Sequence, residues 1–335
     1  MGVLPMFLRR AHGRDAHATA SDRFMYKLTL YRLLQFPLIL AVIYVLTFLL
    51  AWVAPGSPFA GERNVDKAVL ERLERQFHAD SAWSFLSFYP RNVLLTGDFG
   101  PSLYHKEWSV NDILASALPV SITLGLFALT IGVIAGTAVG TLAAVKRGGT
   151  LDWTSLTVTL IGVSLPSFVT AAVLLLAFSY YFPLFPAGGW GSFRYLVLPG
   201  LALSLAPMAY IVRLMRVSML DVLGADYVRT ARAKGLSKSL VIWKHCLRNA
   251  FLPVLSYLGP AAAATLTGSF VVEKVFNVPG LGQHFVASVL TRDQTLILGV
   301  VMVYSALLLT FNLLVDVAYA LVDPRIDVSG GGVVA

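Results

Sequence analysis

Residues 117–145 run from Ala117 to Val145 without one charged side chain. A helix that long and that apolar crosses a hydrocarbon layer about 30 Å thick, and few other environments accept it. The pattern recurs: apolar runs cover 28–54, 151–182, 196–220, 250–272 and 296–322. Charged residues make up only 13% of the chain and hydrophobic ones 57%, against about 25% charged in an average soluble domain. The expected fold is therefore an all-α integral membrane protein with six transmembrane helices.

Each run has its own texture. The first carries Arg32 and Gln35 near its start and Pro37 as a kink site, and it is too long for a cleavable leader. The second places Ala128, Gly132, Gly136, Gly140 and Ala144 at every fourth position, a ridge on which another helix can pack closely in lipid. Pro166 follows Ser164 in the third run, and Pro207 interrupts the fourth. Mid-depth prolines either kink a packed helix or free carbonyls to line a polar path. In the fifth run Thr265, Thr267, Gly268 and Ser269 suit close helix contact or the wall of an aqueous passage. Ser164, Pro166, Thr265 and Ser269 are accordingly the candidate path residues.

Between the runs lie a polar tail (1–27), an insertion (55–116), a basic loop (221–249), a second non-spanning segment (273–292) and a closing tail (323–335). Within the insertion, 66–77 shows an amphipathic helix pattern, and Gly97-Asp98-Phe99-Gly100-Pro101-Ser102 is a turn-rich strip. Topology follows from charge. The net charge of +8 is spread between apolar runs, which argues for a sidedness signal and against nucleic acid binding. Of the 26 Lys and Arg, 17 fall on the side that holds both tails and 221–249. That side is expected to be cytoplasmic, with 55–116 outside.

Residues 226–235 form the most polar stretch of the second half. Asp226, Tyr227, Arg229, Thr230, Ala231, Arg232, Ala233 and Lys234 run without proline to Gly235, as a short helix does. Lying on a membrane surface, this helix either sits on anionic headgroups or is gripped by a soluble partner. Reaction chemistry is sparse. The chain lacks the phosphate-binding G-x-x-x-x-G-K-[ST] loop and H-E-x-x-H, and its six His are scattered. A single cysteine, Cys246, forms no intramolecular disulfide and is expected only to pack. Asp316 is the main carboxylate within a span, expected to meet water or a backbone amide, with ion coupling as the alternative. Arg213 and Arg216 read as snorkelling anchors. With no buried charged pair and no internal symmetry expected, a self-powered carrier is disfavoured. A membrane enzyme would need an acid, base or nucleophile at depth. What remains is a six-helix scaffold driven from outside.

Arg229-Thr230-Ala231, three residues, then Gly235, followed by His245-Cys246-Leu247-Arg248-Asn249-Ala250 and Leu252-Pro253-Val254, resembles the coupling loop of ATP-binding-cassette importer permeases of type I. The Glu-Ala-Ala of the general signature is replaced by Arg229-Thr230-Ala231, as in the peptide and nickel branch. Ala54-Pro55-Gly56-Ser57-Pro58, the 97–102 strip, Pro279-Gly280-Leu281-Gly282 and Asp323-Pro324 extend the likeness to the B-subunit family of the oligopeptide importers, over roughly 28–326. The resemblance implies a second homologous permease, two cytoplasmic ATP-binding subunits holding ATP and magnesium, and an extracytoplasmic peptide-binding protein. No cofactor or metal is implied in this chain. It further implies that 226–235 couples to an ATPase, and that transport proceeds by alternating access.

Overall fold

The computed structural model describes residues 32–53, 81–104 and 108–322. The polar tail 1–27, the amphipathic pattern at 66–77 and the tail 323–335 lie outside the described residues. The described residues form helices and their connections, with one isolated antiparallel bridge between Pro101 and Ser109.

Helix α1 (Arg32–Val53) packs sparsely on the rest of the fold, as expected of a lipid-facing span. Helix α2 (Ala82–Thr96) is started by Ser81, whose hydroxyl accepts the Ser84 N–H at 3.1 Å, and ended by Gly97 at φ 70°. An aromatic stack joins the two helices. Tyr44 lies 6.0 Å from Tyr89 and Phe48 5.9 Å from Phe85, and the Tyr44 hydroxyl donates to the Leu86 carbonyl at 3.1 Å.

Helix α3 (Val110–Val145) begins earlier than the apolar run suggests, because Ser109 and Asp112 form a capping box. The Ser109 hydroxyl accepts the Asp112 N–H at 3.1 Å, while the Asp112 carboxylate accepts the Ser109 N–H at 3.2 Å. This helix and α6 (Phe193–Gly224) form the central pair of the bundle. The small-residue ridge makes their approach close. A Cβ on Gly136 would lie 2.8 Å from Ile211 Cγ2, and one on Gly140 would lie 2.6 Å from the Val212 carbonyl oxygen. Ala128 and Ala144 are buried on the same ridge. Helix α6 runs through Pro199 and Pro207 without a break.

The third apolar run is two helices. Helix α4 (Thr150–Ser164) meets α5 (Ser167–Leu175), which continues as a π-helical turn Leu176–Tyr181, at a bend of 106°. Pro166 has no N–H to donate, and Leu165 before it is pushed to an extended conformation, φ −89° and ψ 125°. That exceeds a kink. After α6 come α7 (Asp226–Ala233) and a hook of three short pieces, Lys238–Leu240, Val241–Cys246 and Leu247–Ala250. Then follow α8 (Leu252–Val275), α9 (Leu281–Thr291) and α10 (Gln294–Val322).

Among the described residues four helices are each long and apolar enough to cross a membrane, and up to six spans result if each of two bent pairs counts as one. The second bent pair is α8 itself, turning by 40° between its Leu252–Leu266 and Ser269–Val275 parts.

Candidate functional site

Helix α7 stands where the bundle's central pair ends. Ala225 is extended, φ −69° and ψ 149°, which turns the chain away from α6 and starts the new helix without a side-chain cap. Asp226 in the first turn and Arg232 in the last suit the helix dipole. Gly235 closes the helix at φ 77°, its N–H donating to the Arg232 carbonyl at 3.0 Å and the Leu236 N–H to the Ala231 carbonyl at 3.4 Å. This is the glycine-terminated end that the sequence predicts.

The helix is strongly two-sided. Val228 and Ala231 are buried in a cluster with Ala144 of α3, Met215 and Met219 of α6, and Val241, Cys246 and Ala250 of the hook. Asp226, Tyr227, Arg229, Thr230, Arg232, Ala233 and Lys234 face outward, with Gly235 also exposed. The Tyr227 hydroxyl accepts from Asn249 Nδ2 at 2.9 Å, tying the helix to the hook. Arg229 and Asp226 approach to 3.5 Å, but both are so exposed that the pair contributes little. Trp243 and Leu240 of the hook are exposed as well, and Arg232 and Lys238 line a cavity of about 380 Å³ floored by Val145, Leu223, Leu236, Val241 and Ile242. Buried Cys246 beneath is inert: burial pushes its thiol pKa up, only partly opposed by nearby Arg232.

Beside this root, a charged pair joins α6 to α4. Arg216 Nε donates to Asp152 Oδ1 at 2.5 Å and Arg216 Nη2 to Asp152 Oδ2 at 2.9 Å, with the Gly148 N–H also on Oδ2 at 2.9 Å. Asp152 is buried, and its side chain keeps only 5% exposure against 19% for Arg216. This geometry corrects two readings of the sequence. A buried charged pair does exist, and Arg216 is a fork-to-carboxylate clamp where a snorkelling anchor was expected. Arg213 stays exposed.

Helix α7 thus sets an exposed polar face on an apolar root that is packed against α3 and α6. Residues 136–328 match the family model described as "Binding-protein-dependent transport system inner membrane component". The chain belongs to that family. It is 46% identical over 291 residues to the dipeptide transport system permease protein DppB of Bacillus subtilis, covering 87% of this chain and 94% of that one. To the oligopeptide transport system permease protein OppB of Haemophilus influenzae it is 43% identical over 304 residues, 90% and 99% of the two chains. Among solved structures, an inward-facing MetNI methionine ABC transporter superposes with a TM-score of 0.52 at 16% identity, over 63% of this chain and 96% of that one. At that identity the likeness establishes the shared all-α permease fold.

In this inner-membrane permease the matched segment contains α7, its root and the Asp152–Arg216 clamp. The structure separates the four candidate path residues into two kinds of place. Ser164 and Pro166 are exposed at the α4–α5 break, where the Ser164 hydroxyl donates to the Leu160 carbonyl at 2.8 Å. Thr265 and Ser269 are buried, donating to the Ala261 carbonyl at 2.7 Å and the Leu266 carbonyl at 2.6 Å. Asp316 pairs with Arg32 of α1, Oδ2 to Nε, at 3.0 Å.

Asp152, Glu273 and Asp293 are the functional candidates that sequence reasoning missed; each is buried at a helix end. The available signal was position: Asp152 lies just after a Gly-Gly turn, and Glu273 and Asp293 bracket Pro279-Gly280-Leu281-Gly282 and α9. Asp152→Ala is expected to destabilise the permease by about 3 kcal/mol, the low end for orphaning a buried charge, because Arg216 keeps some water. Melting in detergent checks this, and Asp152→Leu with Arg216→Met is expected to recover most of the loss. A melting point unchanged in the single variant would show the clamp to be idle.

Proposed function

We propose that this chain is a membrane-spanning subunit of an ATP-driven importer of peptides, moving its cargo by alternating access. The observation that carries the reading is α7: a short helix with a buried apolar root, an exposed basic face and a rigid connection to α3 and α6. Chains 46% and 43% identical along nearly their whole length carry dipeptide and oligopeptide transport in their names, which supports a peptide cargo here. In this reading both termini and α7 are cytoplasmic, six spans cross the bilayer, and part of the 55–116 insertion receives an extracytoplasmic peptide-binding protein. A second homologous permease completes the pathway. Two cytoplasmic subunits bind and hydrolyse ATP with magnesium, and this chain supplies no catalysis.

The coupling role belongs to Asp226, Tyr227, Arg229, Thr230, Ala231, Arg232, Ala233, Lys234 and Gly235. When the ATPase pair closes, a helix seated in it moves with it, and the apolar root carries that motion to α3 and α6. Only contacts that differ between the two states can shift the equilibrium between inward and outward forms. Ser164, Pro166, Thr265 and Ser269 remain the proposed path residues, the first two at the open α4–α5 break.

Purification through this subunit in mild detergent tests the class. Recovery of a second multi-span permease together with nucleotide-binding subunits is expected. A solitary chain that transports in vesicles without ATP would overturn the reading in favour of a secondary carrier. Competition for uptake by peptides of graded length then distinguishes an oligopeptide importer from a dipeptide importer, the reading suggested by the Bacillus subtilis relative.

A further inference from the structure

Glu273 is a carboxylate with no solvent exposure, placed near the end of α8 and held by groups from two other elements. Ser121 of α3 donates its hydroxyl to Glu273 Oε1 at 2.8 Å. The Gly282 N–H, in the first turn of α9, donates to Glu273 Oε2 at 2.7 Å. The Leu281 N–H donates in turn to Ser121 Oγ at 2.9 Å, which closes a ring of three elements around one carboxylate. Ser269, one turn before Glu273 on α8, hydrogen-bonds the Tyr304 hydroxyl of α10 at 2.8 Å, so α10 joins the same junction.

The turn is shaped to this carboxylate. A Cβ on Gly280 would collide with Glu273 Oε2 and lie 2.5 Å from Ser121 Oγ, and a Cβ on Gly282 would lie 2.9 Å from that same carboxylate oxygen. Gly280 is therefore what admits Glu273 to the N-terminus of α9, whereas a Cβ on Gly282 would first collide with the Phe270 Cα of α8.

Helix α9 has 11 residues, about 16 Å, too short to span. It connects α8 to α10, with Leu281 buried among Ile113, Leu114, Leu266, Leu296 and Tyr304 while Val289 and Leu290 are exposed. Phe270 and Phe285 stack at 5.0 Å between α8 and α9. The far end is pinned too. Asp293 follows the left-handed Arg292 that ends α9, caps the Leu296 N–H at 3.1 Å, and accepts the Tyr104 N–H at 3.2 Å and the Ser102 hydroxyl. A short helix with a buried carboxylate at each end is thus joined to the strip that precedes α3.

Burying a carboxylate is costly, and an apolar side chain would fill the space more cheaply. What the carboxylate adds is a contact that is either made or broken, unlike an apolar face that slides. We propose that Glu273 is a positioning residue for transport: it latches the N-terminus of α9 to α3 and α8, holding α9 as a plug at one end of the bundle that must unlatch for the conformational cycle. This rests on the reading of the chain as an importer permease, in which that end is extracytoplasmic. Engagement of the binding protein is then the event that releases the latch.

The test is ATPase activity of the full complex in proteoliposomes, with and without the extracytoplasmic binding protein, for the unmodified chain, Glu273→Gln and Ser121→Ala. A Gln at 273 keeps the size and can still accept the Gly282 N–H through its amide oxygen, but it must then donate to the Ser121 hydroxyl, so two charge-assisted bonds become neutral ones. Glu273→Gln is expected to raise basal ATPase about tenfold, the shift that follows from replacing charge-assisted hydrogen bonds by neutral ones. Stimulation by the binding protein falls accordingly, and Ser121→Ala, which removes both the Glu273 and the Leu281 bonds of the ring, is expected to raise basal ATPase at least as much. A merely structural role would reduce the amount of complex and leave the ratio of stimulated to basal rate unchanged, and that result in both variants overturns the proposal. Absence of any stimulation in the unmodified complex would instead overturn the importer reading itself.

Discussion

Gly140→Leu is expected to prevent recovery of a folded permease, with a loss of about 3 kcal/mol, the upper end for overpacking. The reason is that the atoms it would meet cannot give way. A Cβ at 140 would lie 2.6 Å from the Val212 carbonyl oxygen, 2.8 Å from Met215 Cβ and 3.2 Å from the Arg216 N. Backbone and Cβ atoms move only if α3 and α6 separate. In lipid that separation forfeits van der Waals contact that no hydrophobic effect replaces. It also drags Arg216 from Asp152 and shifts the buried cluster under α7, since Ala144 and Met215 belong to it. The ridge supplies its own control. A Cβ on Gly132 would meet nothing closer than 3.5 Å, so Gly132→Ala is expected to be tolerated, with Gly136→Ala between Gly132→Ala and Gly140→Ala. Melting temperature and monodispersity in detergent give the order directly. Equal tolerance at 132 and 140 would mean that the two helices do not pack along this ridge.

Gly235→Pro is expected to reduce peptide uptake by more than about tenfold while membrane insertion and subunit recovery stay normal. Proline holds φ near −65° and has no N–H. Residue 235 requires φ 77° and donates to the Arg232 carbonyl at 3.0 Å. The end of α7 would therefore refold locally and misplace its outward face. Because 235 is exposed and the apolar root lies at Val228 and Ala231, the spans should not feel the change. Arg232→Glu probes the same surface by charge and is expected to lower both uptake and substrate-stimulated ATPase. Normal uptake by both variants would remove α7 from the coupling path.

Much of this arrangement is legible in the chain because it is local. Asp226 to Gly235 reads as a glycine-ended helix from ten consecutive residues, and the structure stops it where Gly235 permits. Ala128, Gly132, Gly136, Gly140 and Ala144 reveal their ridge through spacing alone. Pro166 locates the break in the third apolar run. The bend of 106° was not legible, because proline forbids the straight helix without choosing the new direction, which neighbouring helices set.

By itself, the sequence determined where the chain can lie in a bilayer, where its helices stop, and to which family it belongs. The first two follow from composition, period and spacing, which act over a few residues, and the family from the likeness of its motifs to known permeases. Only the tertiary structure decided that Asp152 meets Arg216, that Glu273 meets Ser121 and the turn of α9, and that Asp293 meets Ser102. It also buried the side chains of Thr265 and Ser269, which composition does not fix. The physical reason is that lipid and protein core are both apolar. A membrane helix need not be polar on its outer face, so its sequence says little about which side meets lipid and which meets a neighbour. A hydroxyl in such a helix can donate to a carbonyl of its own turn, as Thr265 does, but a charged side chain must find a partner that is fixed only when helices far apart in the chain come together.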